Sequence, residues 1–126
     1  MSKAILPPNL HINTLAVRAA VERSAFGENS EALYLTSGYV QPDAASAAAR
    51  FGGDEDGYTY TRSGNPTVSS LELRLAAMEG SESAMATASG MAAVMLMLFS
   101  LLKSGDHVVF SQSMFGSTIK LIGTEF

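Results

Sequence analysis

Apolar residues recur at helical spacing in some stretches of this chain and gather into short unbroken runs in others. Val68, Leu71, Leu75 and Met78 fall on one face of a helix. Asn65 is a favourable N-cap, Pro66 suits the first helical position, and Gly80 stands where a left-handed C-cap belongs. Together they predict a helix over Pro66–Glu79. Residues 91–102 are apolar nearly all round, which predicts a helix covered on every side, as in the interior of a larger protein. Ser89-Gly90 opens it, and Lys103 lies favourably near its C-terminus. Two shorter apolar runs, 83–88 and 107–110, predict strands buried on both faces. Ser104-Gly105-Asp106 is a turn, and a last helix starts at Phe115 or Gly116.

The first half is more polar and less regular. Asn13-Thr14 can cap a helix over about 15–21, with a loop over 24–30. Residues 31–38 read either as a short strand or as an extended arm. Pro42-Asp43 precedes an Ala-rich helix that Gly52-Gly53 stops, and 52–57 form a solvated loop. After residue 65 the order is helix, strand, helix, strand, helix, which predicts an α/β domain.

Composition narrows the function classes. The chain has 126 residues, 47% hydrophobic, enough for one modest core. Charged residues make up 16%, against roughly 25% in an average soluble chain. Net charge is −4 with no basic block, which disfavours nucleic acid as a partner. There is no Cys, so disulfides, thiolate metal sites and a cysteine nucleophile are excluded. Residues 1–8 lack the apolar core of a signal peptide, and the run 91–102 falls short of the ~18 residues that span a bilayer. A cytoplasmic location and no membrane partner are therefore expected.

Four common catalytic or nucleotide-binding motifs are absent: the Walker loop, GxGxxG, HExxH and GxSxG. His11 and His107 lie far apart, and His107, opening an apolar run, is expected to pack. Three local features have both a plain and a chemical reading. Ser89-Gly90-Met91 is either an ordinary helix cap or an anion site, where free N–H groups and the helix dipole meet a phosphate. Tyr60 and Arg62 belong either to a solvated turn or to a phosphate-binding pair; in an extended segment they would face the same way. Phe115 is either a core residue or a ring placed to stack on a planar ligand.

Four ordered stretches carry a family resemblance. They are Tyr58-Thr-Tyr-Thr-Arg-Ser-Gly-Asn-Pro-Thr67, Leu71-Glu-Leu-Arg-Leu-Ala-Ala-Met-Glu-Gly80, Ala88-Ser-Gly-Met-Ala-Ala93 and Gly105-Asp-His-Val-Val-Phe110. They closely resemble the Cys/Met-metabolism group of fold-type I pyridoxal-phosphate enzymes. Thr14-Leu-Ala-Val-Arg18, Glu31-Ala-Leu-Tyr-Leu-Thr-Ser37 and Ser113-Met-Phe-Gly-Ser117 are similar to the O-succinylhomoserine sulfhydrylase branch. Gly38, where that branch would carry Ser, departs from it.

The resemblance implies pyridoxal 5'-phosphate as cofactor and an amino-acid ester as substrate. The implied reaction makes homocysteine from O-succinylhomoserine and sulfide. The alternatives are a lyase or synthase of the same family, or a fragment acting only in assembly. Gly90 and Met91 match the family's backbone donors to the cofactor phosphate. Tyr60 and Arg62 match the pair reaching that phosphate from a neighbouring subunit, and Phe115 matches the ring stacked on the pyridine. A homodimer or homotetramer follows. Family members are much longer, and Lys3, Lys103 and Lys120 do not match their Schiff-base lysine motif, so no catalytic residue is expected here. The implied organisation is an N-terminal arm over 1–64, contacting the neighbouring subunit, and the incomplete start of the cofactor-binding α/β domain over 65–126.

Overall fold

A computed structural model describes residues 9–125; the N-terminal residues 1–8, with Lys3, lie outside them. The described residues form helices α1 (Ile12–Arg18), α2 (Ala44–Gly52), α3 (Pro66–Glu79), α4 (Gly90–Leu101) and α5 (Gly116–Glu125). They fall into two units, the first ending at Met85 and the second beginning at Ala86.

In the first unit α1 packs on α3. The α1 helix begins earlier than its sequence suggests. His11 is the N-cap, its Nδ1 accepting from the Asn13 N–H at 3.2 Å, so Asn13 and Thr14 lie inside the helix. It ends at Arg18, because Ala20 turns into the left-handed region at φ +58°.

The α3 helix has its expected bounds. Asn65 caps it through the Thr67 N–H at 2.8 Å, and Gly80 ends it at φ +64°. Its expected apolar face is not its covered face: Val68, Leu71 and Leu75 are 40–49% exposed, whereas Ala76 is buried. The reason is polar. Ser70 Oγ donates to the Ala20 carbonyl at 3.0 Å, and Arg74 Nε donates to the Ala19 carbonyl at 3.0 Å. Ala19, Val21 and Ala76 are the buried apolar residues described in this unit, and the small Ala19 and Ala76 let backbone carbonyls come within reach of α3's polar side chains.

Residues 31–38 take the arm reading. Their one bridge pairs Gly38 with Tyr60, antiparallel, flanked by Tyr39 N–H to Thr59 carbonyl (3.2 Å) and Thr61 N–H to Ser37 carbonyl (2.9 Å). Asp43 caps α2 and Gly53 ends it. Arg50 on α2 reaches Glu55 at 2.7 Å and Gln41 Oε1 at 2.8 Å, while Gln41 donates to the Tyr39 and Tyr58 carbonyls. The guanidinium fills the space beside Gly57, where a Cβ would lie 2.6 Å from Arg50 Nε.

The strands expected at 83–88 and 107–110 do not form; among the described residues there is no strand beyond the single bridge. A buried strand needs a neighbour to complete its backbone ladder, and here neither run has one. Met85 and Val109 are 72% and 100% exposed, and His107 is exposed rather than packed. The described chain is thus helical where an α/β alternation was expected. In the second unit Ser89 caps α4, its Oγ accepting from the Ala92 N–H at 3.1 Å. Only Leu98 of α4 is buried, against an expectation of cover all round. Among the described residues of α5, Thr118 and Ile122 are buried.

Candidate functional site

In the first unit the chain leaves the Gly38–Tyr60 bridge and turns. The Tyr60 carbonyl accepts from the Ser63 N–H at 2.9 Å and the Gly64 N–H at 3.1 Å. Tyr60 and Arg62 are therefore not alternate residues of an extended strand. The turn instead lays the Arg62 guanidinium over the Tyr60 ring, Cζ lying 4.8 Å from its centroid. Both side chains are exposed. Stacking on the ring orients a permanently charged, planar fork and leaves its N–H edges free to meet an anion.

A hydrogen-bonded cluster around Asn65 supports this turn. Asn65 is only 4% exposed. Its Nδ2 donates to the Tyr34 carbonyl at 2.9 Å and to Thr61 Oγ1 at 3.1 Å, while its Oδ1 caps α3. Thr61 Oγ1 donates in turn to the Thr36 carbonyl, and Thr67 Oγ1 accepts from the Tyr34 N–H at 2.9 Å. In the sequence Asn65 stands out only as a cap, and Thr61 and Thr67 do not stand out at all. Three hydroxyl or amide residues around one helix start were the available signal.

In the second unit the Ser89-Gly90-Met91 junction has the expected form. Ser89 caps the helix, and Gly90 and Met91 supply its first N–H groups, which have no intrahelical acceptor. Nothing lies within 4 Å of a Cβ built on Gly90, so the approach to this helix start is open. Phe115 occupies a second helix start, its carbonyl accepting from the Thr118 N–H (2.9 Å) and Ile119 N–H (3.3 Å). Phe115 is 75% exposed, so it is not a core residue among the described residues. Lys103 follows the far end of α4, about 18 Å from that helix's start at 1.5 Å per residue. Lys120 is exposed on α5.

In the first unit, an oriented guanidinium suits an anion; in the second, taken by itself, unpaired backbone donors at the positive end of a helix suit an anion and Phe115 offers an exposed aromatic face. Among the described residues no helix is long and apolar enough to cross a membrane.

Residues 13–126 match the Cys/Met metabolism PLP-dependent enzyme family. The chain is 54% identical over 114 residues to O-succinylhomoserine sulfhydrylase of Pseudomonas aeruginosa, covering 90% of this chain and 28% of that protein. It is 52% identical over 112 residues to the Mycobacterium tuberculosis protein of the same name, covering 89% and 28%. To L-methionine gamma-lyase of Fusobacterium nucleatum subsp. polymorphum it is 40% identical over 111 residues, covering 88% and 28%. A crystal structure assigned as O-acetylhomoserine (thiol)-lyase from Campylobacter jejuni superimposes with a TM-score of 0.85 at 37% identity, over 93% of this chain and 29% of that one. It carries a pyridoxyl-lysine monophosphate. The chain thus spans somewhat more than a quarter of the length of these relatives. It belongs to the Cys/Met-metabolism family of enzymes, whose cofactor is pyridoxal phosphate.

Proposed function

We propose that this chain supplies part of the cofactor site of an O-succinylhomoserine sulfhydrylase. The observation that carries this reading is the identity of 52–54% to sulfhydrylases of that name, against 40% to the F. nucleatum methionine lyase. In the proposed reaction sulfide replaces the γ-succinyloxy group of O-succinyl-L-homoserine, giving homocysteine and succinate. Bound pyridoxal phosphate supplies an electron sink that draws charge from the substrate's α-carbon. The Gly90 and Met91 N–H groups hold the cofactor phosphate. Tyr60 and Arg62 complete its cage from a neighbouring subunit of a homodimer or homotetramer, and Phe115 lies against the pyridine ring. Residues 1–64 form the arm that makes this crossing, and 65–126 begin a fold-type I cofactor domain. The lysine that carries the cofactor is contributed by residues other than Lys3, Lys103 and Lys120. The proposed location is the cytoplasm.

The test is an assay of a polypeptide of the relatives' length carrying this sequence. Homocysteine formed from O-succinyl-L-homoserine only when sulfide is present supports the reading. Preferential release of methanethiol from L-methionine would replace it with a lyase. In the same polypeptide Arg62→Ala removes a charge-assisted contact and is expected to weaken cofactor binding by about 1.5–3 kcal/mol. Titration of the apoenzyme measures this, and unchanged affinity removes Arg62 from the site.

A further inference from the structure

Arg62 and Tyr60 stand in an exposed turn, yet their geometry is defined. Loops of this kind are ordinarily mobile, so something beneath must hold it. Thr61, the residue between them, is fixed on three sides. Its N–H donates to the Ser37 carbonyl at 2.9 Å, its hydroxyl donates to the Thr36 carbonyl, and the same hydroxyl accepts from Asn65 Nδ2 at 3.1 Å. Asn65 joins this point to two others: the Tyr34 carbonyl on the arm, at 2.9 Å, and the Thr67 N–H at the start of α3, at 2.8 Å. One buried amide thus ties the arm, the turn and the helix together. It uses both Nδ2 donors and its Oδ1 acceptor to do so.

We propose that Asn65 is a positioning residue for the cofactor phosphate, acting through Thr61 to hold Tyr60 and Arg62 in the orientation that meets the anion. This rests on the reading of Tyr60 and Arg62 as phosphate ligands. Asn65 itself touches no cofactor. Its two tasks, capping α3 and clasping the turn, separate chemically. Asn65→Asp keeps an acceptor for the Thr67 N–H and so keeps the cap. It loses both donors and turns a carboxylate oxygen toward the Tyr34 carbonyl and toward a Thr61 hydroxyl whose proton is committed to Thr36. The clasp opens while the helix start survives. Thr61→Val opens it from the other side with no change of size.

The experiment titrates apoenzyme of the full-length polypeptide with pyridoxal phosphate and, separately, with pyridoxal, which lacks the phosphate. Asn65→Asp and Thr61→Val are each expected to weaken pyridoxal phosphate binding about tenfold, the effect of one lost buried hydrogen bond. Pyridoxal binding should change by less than about twofold. Thr61→Ser, which keeps the hydroxyl, should bind as the parent does. Asn65→Asp added to the double variant Tyr60→Phe/Arg62→Ala should cost little more than that double variant alone, because both phosphate contacts being positioned are already gone. Equal weakening of both ligands, or full additivity with the Tyr60→Phe/Arg62→Ala double variant, would overturn the positioning role and leave Asn65 as a fold residue. If Arg62→Ala leaves pyridoxal phosphate binding untouched, the phosphate reading of that residue fails first, and the positioning role falls with it.

Discussion

Ala20 carries the least comfortable backbone of the α1–α3 junction, at φ +58°. A side chain with a Cβ costs roughly 1–2 kcal/mol in that region. The conformation is held because its carbonyl accepts from Ser70 Oγ, while the preceding Ala19 carbonyl accepts from Arg74 Nε. Ala20→Gly removes the steric cost and gives back part of it as chain entropy. The expected net gain is about 0.5–1 kcal/mol, read as a higher midpoint of urea unfolding. A lower midpoint would show that the Cβ of Ala20 contributes packing that outweighs its strain. Gly57 poses the opposite case, where absence of a Cβ is required because the Arg50 guanidinium, fastened to Glu55 and Gln41, occupies the space.

Between elements, polar side chains do much of the joining in the first unit. The arm is fastened to α3 at two places: Thr67 and Asn65 near Tyr34, and Arg74 at Glu31, whose Nη1 to Oε1 distance is 2.7 Å. The Arg74 hydrogen bond holds the Glu31 carboxyl below its ordinary value of 4.5. A carboxyl lowered by folding stabilises the folded state fully above its unfolded pKa. That contribution fades as pH falls from about 4.5 through the depressed folded value. The arm's attachment at this point is therefore expected to weaken on acidification in that window. Hydrogen exchange of the amides over 31–38, followed against pH, should show protection lost there. Glu31→Gln should be less protected at neutral pH and should lack that step. An identical pH profile in the variant would assign the acid sensitivity to other carboxyls, such as Asp43 at the start of α2, which is also held low, by the Ser46 N–H.

At the scale of the whole molecule, many large apolar side chains among the described residues are exposed. Leu96, Met97, Phe99 and Leu101 on α4 are 43–75% exposed, and Leu71, Leu73 and Leu75 on α3 are 39–49% exposed. Neighbouring exposed apolar side chains on this scale mark a surface that associates. The 126-residue chain by itself is expected to form oligomers or aggregates in dilute buffer, seen by light scattering as masses above the monomer's 13.2 kDa. A monodisperse monomer would show that these faces are covered within the chain.

Local rules determined most of the helices. Asn65-Pro66 with Gly80, Ser89-Gly90, and Asp43 with Gly53 act over three or four residues, and α2, α3 and α4 begin and end within about a residue of where those signals put them. The family, too, was legible in four short ordered stretches. The positions of Gly90, Met91 and Phe115 at helix starts followed from the same local signals. Tertiary structure decided what local pattern cannot carry. The runs 83–88 and 107–110 have strand-like sequences, but a strand exists only with a partner to complete its hydrogen bonds, and the described residues provide none. Which face of α3 is covered depended on the Ala19 and Ala20 carbonyls, some fifty residues away in sequence. The Arg62–Tyr60 stack and the Asn65 clasp beneath it depended on an arm returning from residues 34–37. Periodicity reports only near neighbours; contacts closed across tens of residues are set by the whole chain's packing.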